Sequence, residues 1–397
     1  MFGQLEHLPA DPILGLIEAY KKDTNPSKID LGVGVYRDAA GNTPIMHAVK
    51  EAEALLLTRE TTKSYIGSHG DPEYARAILP LVFGAASPLL ESQRISLTQA
   101  PGGTGALRLA ADFIKRCAPE KTVWISDPTW PNHFSIMQAA GVQYAKYRYV
   151  DSQANQLDFA AMLEDLRAIP TGDIVLLHAC CHNPTGFDLS AAQWQQVADL
   201  LQERQLLPLI DFAYQGFGDG LEEDAFAVRL LAEQLPEVMI TASCSKNFGL
   251  YRERIGSFIA TAPNANAKAA LASQLALVAR ANYSNPPAHG SAIVSTILHS
   301  TELRSLWQDE VNSMRMRING LRQALVDGLA PHGLSERFAC VAEQKGMFSY
   351  SGLTPAQVTQ LQQDFGIYMV STGRMNIAGY HQQNLPYLCK AIAAVCQ

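Results

Sequence analysis

Positive charge is in deficit in this 397-residue sequence: 31 Lys and Arg against 38 Asp and Glu leave a formal net charge of −7. An acidic chain lacks the electrostatic footprint for non-specific binding to nucleic acid or to an anionic membrane surface. Long apolar runs are also missing. The longest stretch free of Asp, Glu, Lys and Arg is 281–301. It contains Asn282, Ser284, Asn285, Pro286, Pro287 and two histidines, so it does not read as a membrane span. The first residues show no basic region followed by an apolar core, being interrupted by Glu6, His7 and Asp11. A cytoplasmic location is therefore expected. The seven cysteines include no CxxC pair, and adjacent Cys180 and Cys181 suit neither a disulfide framework nor a zinc site. Reduced structural thiols and no metal are expected.

What the sequence does have is enough apolar material, 47% against 17% charged, to fold. Its length corresponds to two or three domains at roughly 150 residues each. Five short, nearly continuous apolar runs read as strands: Thr122–Ser126, Asp173–Ala179, Leu207–Asp211, Val238–Ala242 and Gly256–Thr261. That character predicts burial on both faces of a largely parallel sheet. Helical patterns lie between several of them. Thr104–Arg116 aligns Leu107, Ala110, Ala111 and Ile114, and Ser190–Arg204 opens with a Ser190/Gln193 capping box. The alternation predicts an α/β domain with right-handed crossovers. Towards the ends, Pro12–Lys22 reads as an amphipathic helix capped by Asp11. Glu310–Leu329 reads as a long helix, Gly346–Ser351 as a hairpin-like piece, and Thr354-Pro355 as a helix start. This suggests a large central α/β domain and a smaller one built from both termini.

In open α/β sheets, ligands bind beyond the carboxyl ends of the strands. The residues past these strands are Asp127-Pro-Thr-Trp130-Pro-Asn-His133, His182-Asn183-Pro-Thr-Gly186, Asp211-Phe-Ala-Tyr214 and Ser243-Cys-Ser245-Lys246-Asn247. Together they look like a cofactor pocket. Pro101-Gly-Gly-Thr-Gly105 precedes a helix and could present backbone N–H groups to an anion. It is neither GxGxxG nor GxxxxGK[ST], so nucleotide binding is not indicated, and a plain glycine turn is the alternative. Lys246 at a strand exit could form a Schiff base if its pKa is lowered, or could be a solvated surface charge. Asp211 closes an apolar strand and, if buried, needs a cation or a donor. A helix cap or structural ion pair would satisfy it too.

These motifs, with LGVGVYRD (31–38), TKSYIGSHGD (62–71), PGGTGALR (101–108), SCSKNFGLYRERIG (243–256), RANYSNPPAHG (280–290), GMFSYSGL (346–353) and STGRMNIAG (371–379), follow one another in an order that closely resembles class I pyridoxal-phosphate aminotransferases of fold type I, in the aspartate/aromatic amino acid branch. The resemblance implies a mostly parallel seven-stranded sheet flanked by helices in a large domain (44–312). It also implies a smaller α/β domain from both termini (11–43 and 313–397) and an N-terminal arm (1–10). It implies pyridoxal 5'-phosphate as cofactor, with the pyridoxamine form in the half-reaction, and a homodimer with shared active sites. Lys246 would carry the Schiff base and shuttle a proton, Asp211 would pair with the pyridine nitrogen, and Tyr214 and Asn183 would bond the phenolic oxygen. Trp130 would stack on the ring. Gly103, Thr104, Ser243, Ser245 and Arg254 would hold the phosphate, joined by Tyr65 of the other subunit. His133 and His178 would support Asp211. Arg374 would grip the substrate α-carboxylate, and Arg280 of the other subunit the distal carboxylate of a dicarboxylic substrate. Gly34 would lie in the segment closing over the substrate.

Within that branch, Val35, Thr43, Thr104 and Asn285 are small or polar where aromatic-tolerant relatives often carry bulkier or other residues, which leans towards aspartate. The resemblance implies dual activity, on aspartate or glutamate and on tyrosine or phenylalanine, with 2-oxoglutarate as acceptor by a ping-pong route. A pyridoxal-phosphate lyase or decarboxylase on the same fold is the alternative, and a non-enzymatic binding module a more distant one.

Overall fold

A computed structural model describes residues 2–7, 12–151 and 154–397. The expected cap Asp11, and within the expected N-terminal arm Met1 and 8–10, lie outside the described residues. The chain divides into two compact units. One comprises Met1–Thr43, Ile318–Glu343 and Met347–Gln397; the other comprises Pro44–Arg317 and Gln344–Gly346.

The second unit is built on a seven-stranded sheet. In chain order its strands are β1 (Ile95–Pro101), β2 (Thr122–Asp127), β3 (Gln143–Arg148), β4 (Ile174–His178), β5 (Leu207–Phe212), β6 (Val238–Ser243) and β7 (Ile255–Thr261). In space the order is β1-β7-β6-β5-β4-β2-β3. The chain alternates with helices, and β4, β6 and β7 are buried at every residue, as strands covered on both faces must be. Leu107, Ala110, Ala111 and Ile114 of the Gly102–Cys117 helix pack with Val123, Ile125, Leu176 and Leu209 from the sheet. The Ala191–Arg204 helix opens with both bonds of its capping box.

Two features depart from the expectation from sequence. The strands that expectation lacked, β1 and β3, are the two edges. Edge strands are half-solvated and carry polar residues, here QYAKYR in β3, so no apolar run marks them. β7, expected among largely parallel strands, is antiparallel to both neighbours, while the others share one direction. Its N-terminal end therefore lies at the edge where the other six strands exit, which brings Arg254 to that edge.

In the first unit, the two ends of the chain meet. Ile29–Asp30 pairs in parallel with Ile367–Tyr368. The piece expected to be hairpin-like does not turn back on itself; Phe348–Tyr350 pairs antiparallel with Arg374–Asn376. Thr354 caps the Pro355–Phe365 helix with Pro at its first turn. Among the described residues no helix is long and apolar enough to cross a membrane.

Candidate active site

The exit edge of the sheet gathers most of the polar residues that follow the strands. At the end of β5 the Asp211 carboxylate is buried and accepts a hydrogen bond from His133 Nε2 at 3.2 Å. His133 sits in the Asn132–Ala140 helix that follows β2. Thr129 Oγ1 lies 2.8 Å from His133 Nδ1 and 3.1 Å from His178 Nε2. The backbone N–H of Asn183 points at His178 Nδ1, 3.4 Å away. Burial holds His178 down at about 3, with the neighbouring His133 acting in the same direction, so its ring is neutral.

These contacts fix the direction of every bond. An amide N–H can only donate, so His178 Nδ1 accepts and its Nε2–H donates to Thr129. The Asp211 carboxylate can only accept, so His133 donates through Nε2–H, and with the other nitrogen of a neutral ring left as acceptor the Thr129 hydroxyl donates to His133 Nδ1. Burial alone would raise the Asp211 pKa. The His133 hydrogen bond and the nearby positive potential, Lys246 included, outweigh it, and the carboxyl lies below its ordinary value. Asp211 is thus an ionised carboxylate in a buried site.

Lys246 follows β6 through a turn in which the Ser245 N–H donates to Ser243 Oγ at 3.2 Å. Its Nζ lies 4.6 Å from the centroid of the Tyr214 ring. Burial lowers its pKa against the pull of Asp211, and Arg254 lowers it further. The ammonium is therefore easier to deprotonate than a surface lysine.

The Gly102–Cys117 helix starts at the same edge. Its N-cap is Pro101, which offers no side-chain cap, and its first turn holds no acidic residue. Its first N–H groups are thus available to an anion. Gly102 has φ +74°, and a Cβ there would come within 2.5 Å of Arg254 Nη2. Arg254 donates to the carbonyls of Tyr251 (2.9 Å) and Pro101 (3.4 Å), which holds its guanidinium over the helix start. A Cβ on Gly103 would meet Ser243 Cβ at 3.2 Å. The structure so brings Gly103, Thr104, Ser243, Ser245 and Arg254 to one edge. Asn183 is buried there, its side-chain oxygen without a hydrogen-bond partner among the described residues. The Trp130 and His133 rings stand nearly perpendicular, centroids 5.3 Å apart.

The sequence profile of the family described as Aminotransferase class I and II matches residues 26–392. The chain belongs to the class I and II aminotransferase family. Over 395 residues it is 58% identical to the aromatic-amino-acid aminotransferase of Pseudomonas aeruginosa, covering 100% of this chain and 99% of that one. It is 47% identical to the aspartate aminotransferase of Escherichia coli, each covered in full. A crystal structure of the Burkholderia pseudomallei aromatic-amino-acid aminotransferase, covalently bound to pyridoxal phosphate, superposes with a TM-score of 0.97 at 45% identity over the whole of both chains.

Other expected residues of this aminotransferase-family chain have local surroundings of their own. Tyr65 is 91% exposed. Arg280, exposed at the end of the Ala265–Asn282 helix, donates to Ser284 Oγ. In the first unit, buried Arg374 donates to the Gly32 carbonyl at 2.6 Å and lies 4.3 Å over the Phe348 ring, and Gly34 packs against that same ring.

Thr129, which links the two histidines, was not singled out from the sequence, although it stands inside the Asp127–His133 stretch that follows a predicted strand. His182 was passed over as well. Its ring bridges Ser126 Oγ (3.0 Å) and Thr185 Oγ1 (2.9 Å) and stacks on Tyr149, centroids 4.1 Å apart. Cys180 Sγ, Cys181 Sγ and an Asp224 oxygen lie within 4.8 Å of one another. The Asp224 carboxylate already accepts the N–H groups of Gly216, Gly218 and Asp219, and burial pushes the Cys180 thiol up, away from the thiolate a metal needs.

Proposed function

We propose that this chain is a pyridoxal-phosphate-dependent aminotransferase acting on aspartate or glutamate and on tyrosine or phenylalanine, with 2-oxoglutarate as amino acceptor. The observation that carries this reading is one pairing at one sheet edge. Asp211 is a buried carboxylate that stays ionised, and Lys246 is a lysine that gives up its proton easily.

The residues fit the cofactor's three polar features. An uncapped helix start beside Arg254 suits a phosphate, Asp211 suits a protonated ring nitrogen, and the buried Asn183 Oδ1, an acceptor without a partner among the described residues, suits the proton of a ring hydroxyl. When bound, the cofactor supplies an electron sink for the charge left at the substrate α-carbon. Gly103, Thr104, Ser243, Ser245 and Arg254 hold the phosphate, and Tyr65 of a second copy joins them. Asp211, oriented by His133, Thr129 and His178, keeps the ring nitrogen protonated. Trp130 stacks on the ring, while Asn183 and Tyr214 bond its phenolic oxygen. Lys246 Nζ takes the α-proton of the substrate. A group with a pKa lowered towards neutrality combines availability with basic strength.

Arg374 holds the α-carboxylate, with Gly34 in the segment that closes over the substrate, and Arg280 of a second copy meets a distal carboxylate. The assignments to Tyr65 and Arg280 make the working form a homodimer. In each copy the Pro44–Arg317 unit serves as cofactor domain and the unit from both termini as the small domain. Relatives named for aromatic amino acids at 58% identity and for aspartate at 47–49% support dual specificity over a single preference.

Lys246→Ala is expected to abolish amino transfer while the protein still retains cofactor without a covalent link. Absorbance of the bound cofactor on adding aspartate is the measurement. Normal turnover by the variant would refute the role of Lys246. Arg280→Ala should lose dicarboxylates selectively, since a buried carboxylate without its cation costs roughly 2–5 kcal/mol. Equal losses in kcat/KM for aspartate and phenylalanine would count against it.

A further inference from the structure

Two of the residues assigned above to a second copy's site, Tyr65 and Arg280, lie far apart in sequence, on a loop before the Pro72–Phe83 helix and at the end of the Ala265–Asn282 helix. We infer that Gln99 of β1 is the positioning residue that ties both loops together and presents Tyr65 and Arg280 as one set. The inference rests on the reading in which those two side chains act on a partner's cofactor and substrate.

Gln99 is fully buried, and all four of its polar groups are committed, two to each loop. Towards the first loop, its backbone N–H donates to the His69 carbonyl at 3.0 Å and its side-chain Oε1 accepts the Asp71 N–H at 3.1 Å. Towards the second, its side-chain Nε2 donates to the Pro287 carbonyl at 2.7 Å and its backbone carbonyl accepts the Tyr283 hydroxyl at 2.7 Å. β1 is an edge strand, paired among the described residues only with β7, so the outward N–H and C=O of Gln99 would otherwise face water. The loops take the place of a neighbouring strand. Thr98 adds a contact, its Oγ1 lying 3.0 Å from His69 Nδ1. The first loop lies directly on the glutamine. Gly70 has φ +89°, and a Cβ there would come within 2.4 Å of Gln99 Cβ.

The amide is chemically specific for this tie. Its oxygen must accept and its nitrogen must donate at a fixed spacing, which neither carboxylate nor thioether reproduces. A buried amide satisfied at both ends resists displacement, because breaking either bond strands a polar group. Tyr65 stands four residues before His69, and Arg280 three before Tyr283, so a shift at either anchor is passed to the exposed side chain.

The experiment uses full-length protein with its cofactor and two readouts. One is the cofactor dissociation constant, which reports Tyr65; the other is the ratio of kcat/KM for aspartate to that for phenylalanine, which reports Arg280. Gln99→Met is expected to weaken cofactor binding and to lower the ratio, each by about tenfold. Tyr283→Phe, which removes one hydrogen bond to the second loop, is expected to lower the ratio about threefold and leave cofactor affinity unchanged. In a Tyr65→Phe background Gln99→Met should no longer alter cofactor affinity, and in an Arg280→Ala background it should no longer alter the ratio. Such non-additivity marks action through those residues. The inference is overturned if Gln99→Met moves neither readout, or if its effects persist undiminished in both backgrounds, as general loosening would produce. If Gln99→Met does not fold, an unchanged ratio in Tyr283→Phe overturns it instead. Should Tyr65→Phe and Arg280→Ala themselves leave both readouts at wild-type values, it is the roles assigned to those two residues that fail, and the inference falls with them.

Discussion

Asp211 and Arg322 are both buried charges, one in each unit, and their surroundings differ in kind. Around Asp211 the partners are themselves titratable or can reorient: an imidazole, then a hydroxyl, then a second imidazole. Around Arg322 they include two backbone carbonyls, which do neither. Its guanidinium donates to the carbonyls of Val341 at 3.0 Å and Phe348 at 2.7 Å, and to Ser349 Oγ. Backbone carbonyls cannot change protonation, so Arg322 fastens the Phe348–Tyr350 strand to its neighbours at any ordinary pH. The Asp211 cluster holds a charge whose strength can be tuned. A buried charge is costly in either setting. What differs is whether the compensation fixes geometry alone or also sets a pKa that chemistry uses.

Breaking the tunable side should have the largest effect. Asp211→Ala is expected to lower the single-turnover rate at saturating cofactor on the order of 10³-fold or more, with a much smaller change in cofactor affinity. An unchanged rate would remove Asp211 from the chemistry. Breaking the fixed side should act on stability. Arg322→Met strands buried carbonyls and is expected to cost about 2–4 kcal/mol in denaturant unfolding, with no change in how stability depends on pH. A cost below about 1 kcal/mol would mean that these carbonyls find other donors.

That contrast was only half legible in the sequence. The runs Asp173–Ala179 and Val238–Ala242 announced buried strands because both faces are apolar, and the polar residues beyond them marked the ligand edge. Asp211 stood out since a carboxylate closing an apolar strand demands a partner. Arg322 did not, because nothing local distinguishes a core arginine on a long amphipathic helix from a solvated one. Its acceptors include two backbone carbonyls 19 and 26 residues away, and backbone groups have no signature in sequence. The edge strands were hidden for a similar reason. β1 is recognisable only once β7 pairs with it and loops 69–71 and 283–287 cover its outer side. The direction of β7, and with it the placing of Arg254, depends on connections that strand character does not encode.

The smallest expected effect is the one that tests the tunable cluster most directly. With His178 held at about 3 in the folded protein and near 6.5 when unfolded, the unfolded chain binds a proton between those values and the folded chain does not. Its contribution to stability is thus complete above about pH 6.5 and falls with pH by up to about 1.4 kcal/mol per unit. His182, also lowered by burial, acts in the same sense. Asp188 opposes them: burial pushes its carboxyl up to about 6, so the folded state gains relative stability as pH falls towards the ordinary carboxylate range. The whole-protein slope mixes these groups, whereas the difference between wild type and His178→Asn isolates one. From pH 7 to pH 5 the variant should gain on the wild type by about 2 kcal/mol, whatever its stability at pH 7. A difference that stays flat over that range would show that His178 protonates in the folded state, and the directed bonds running from Asn183 to Asp211 would then have to be redrawn.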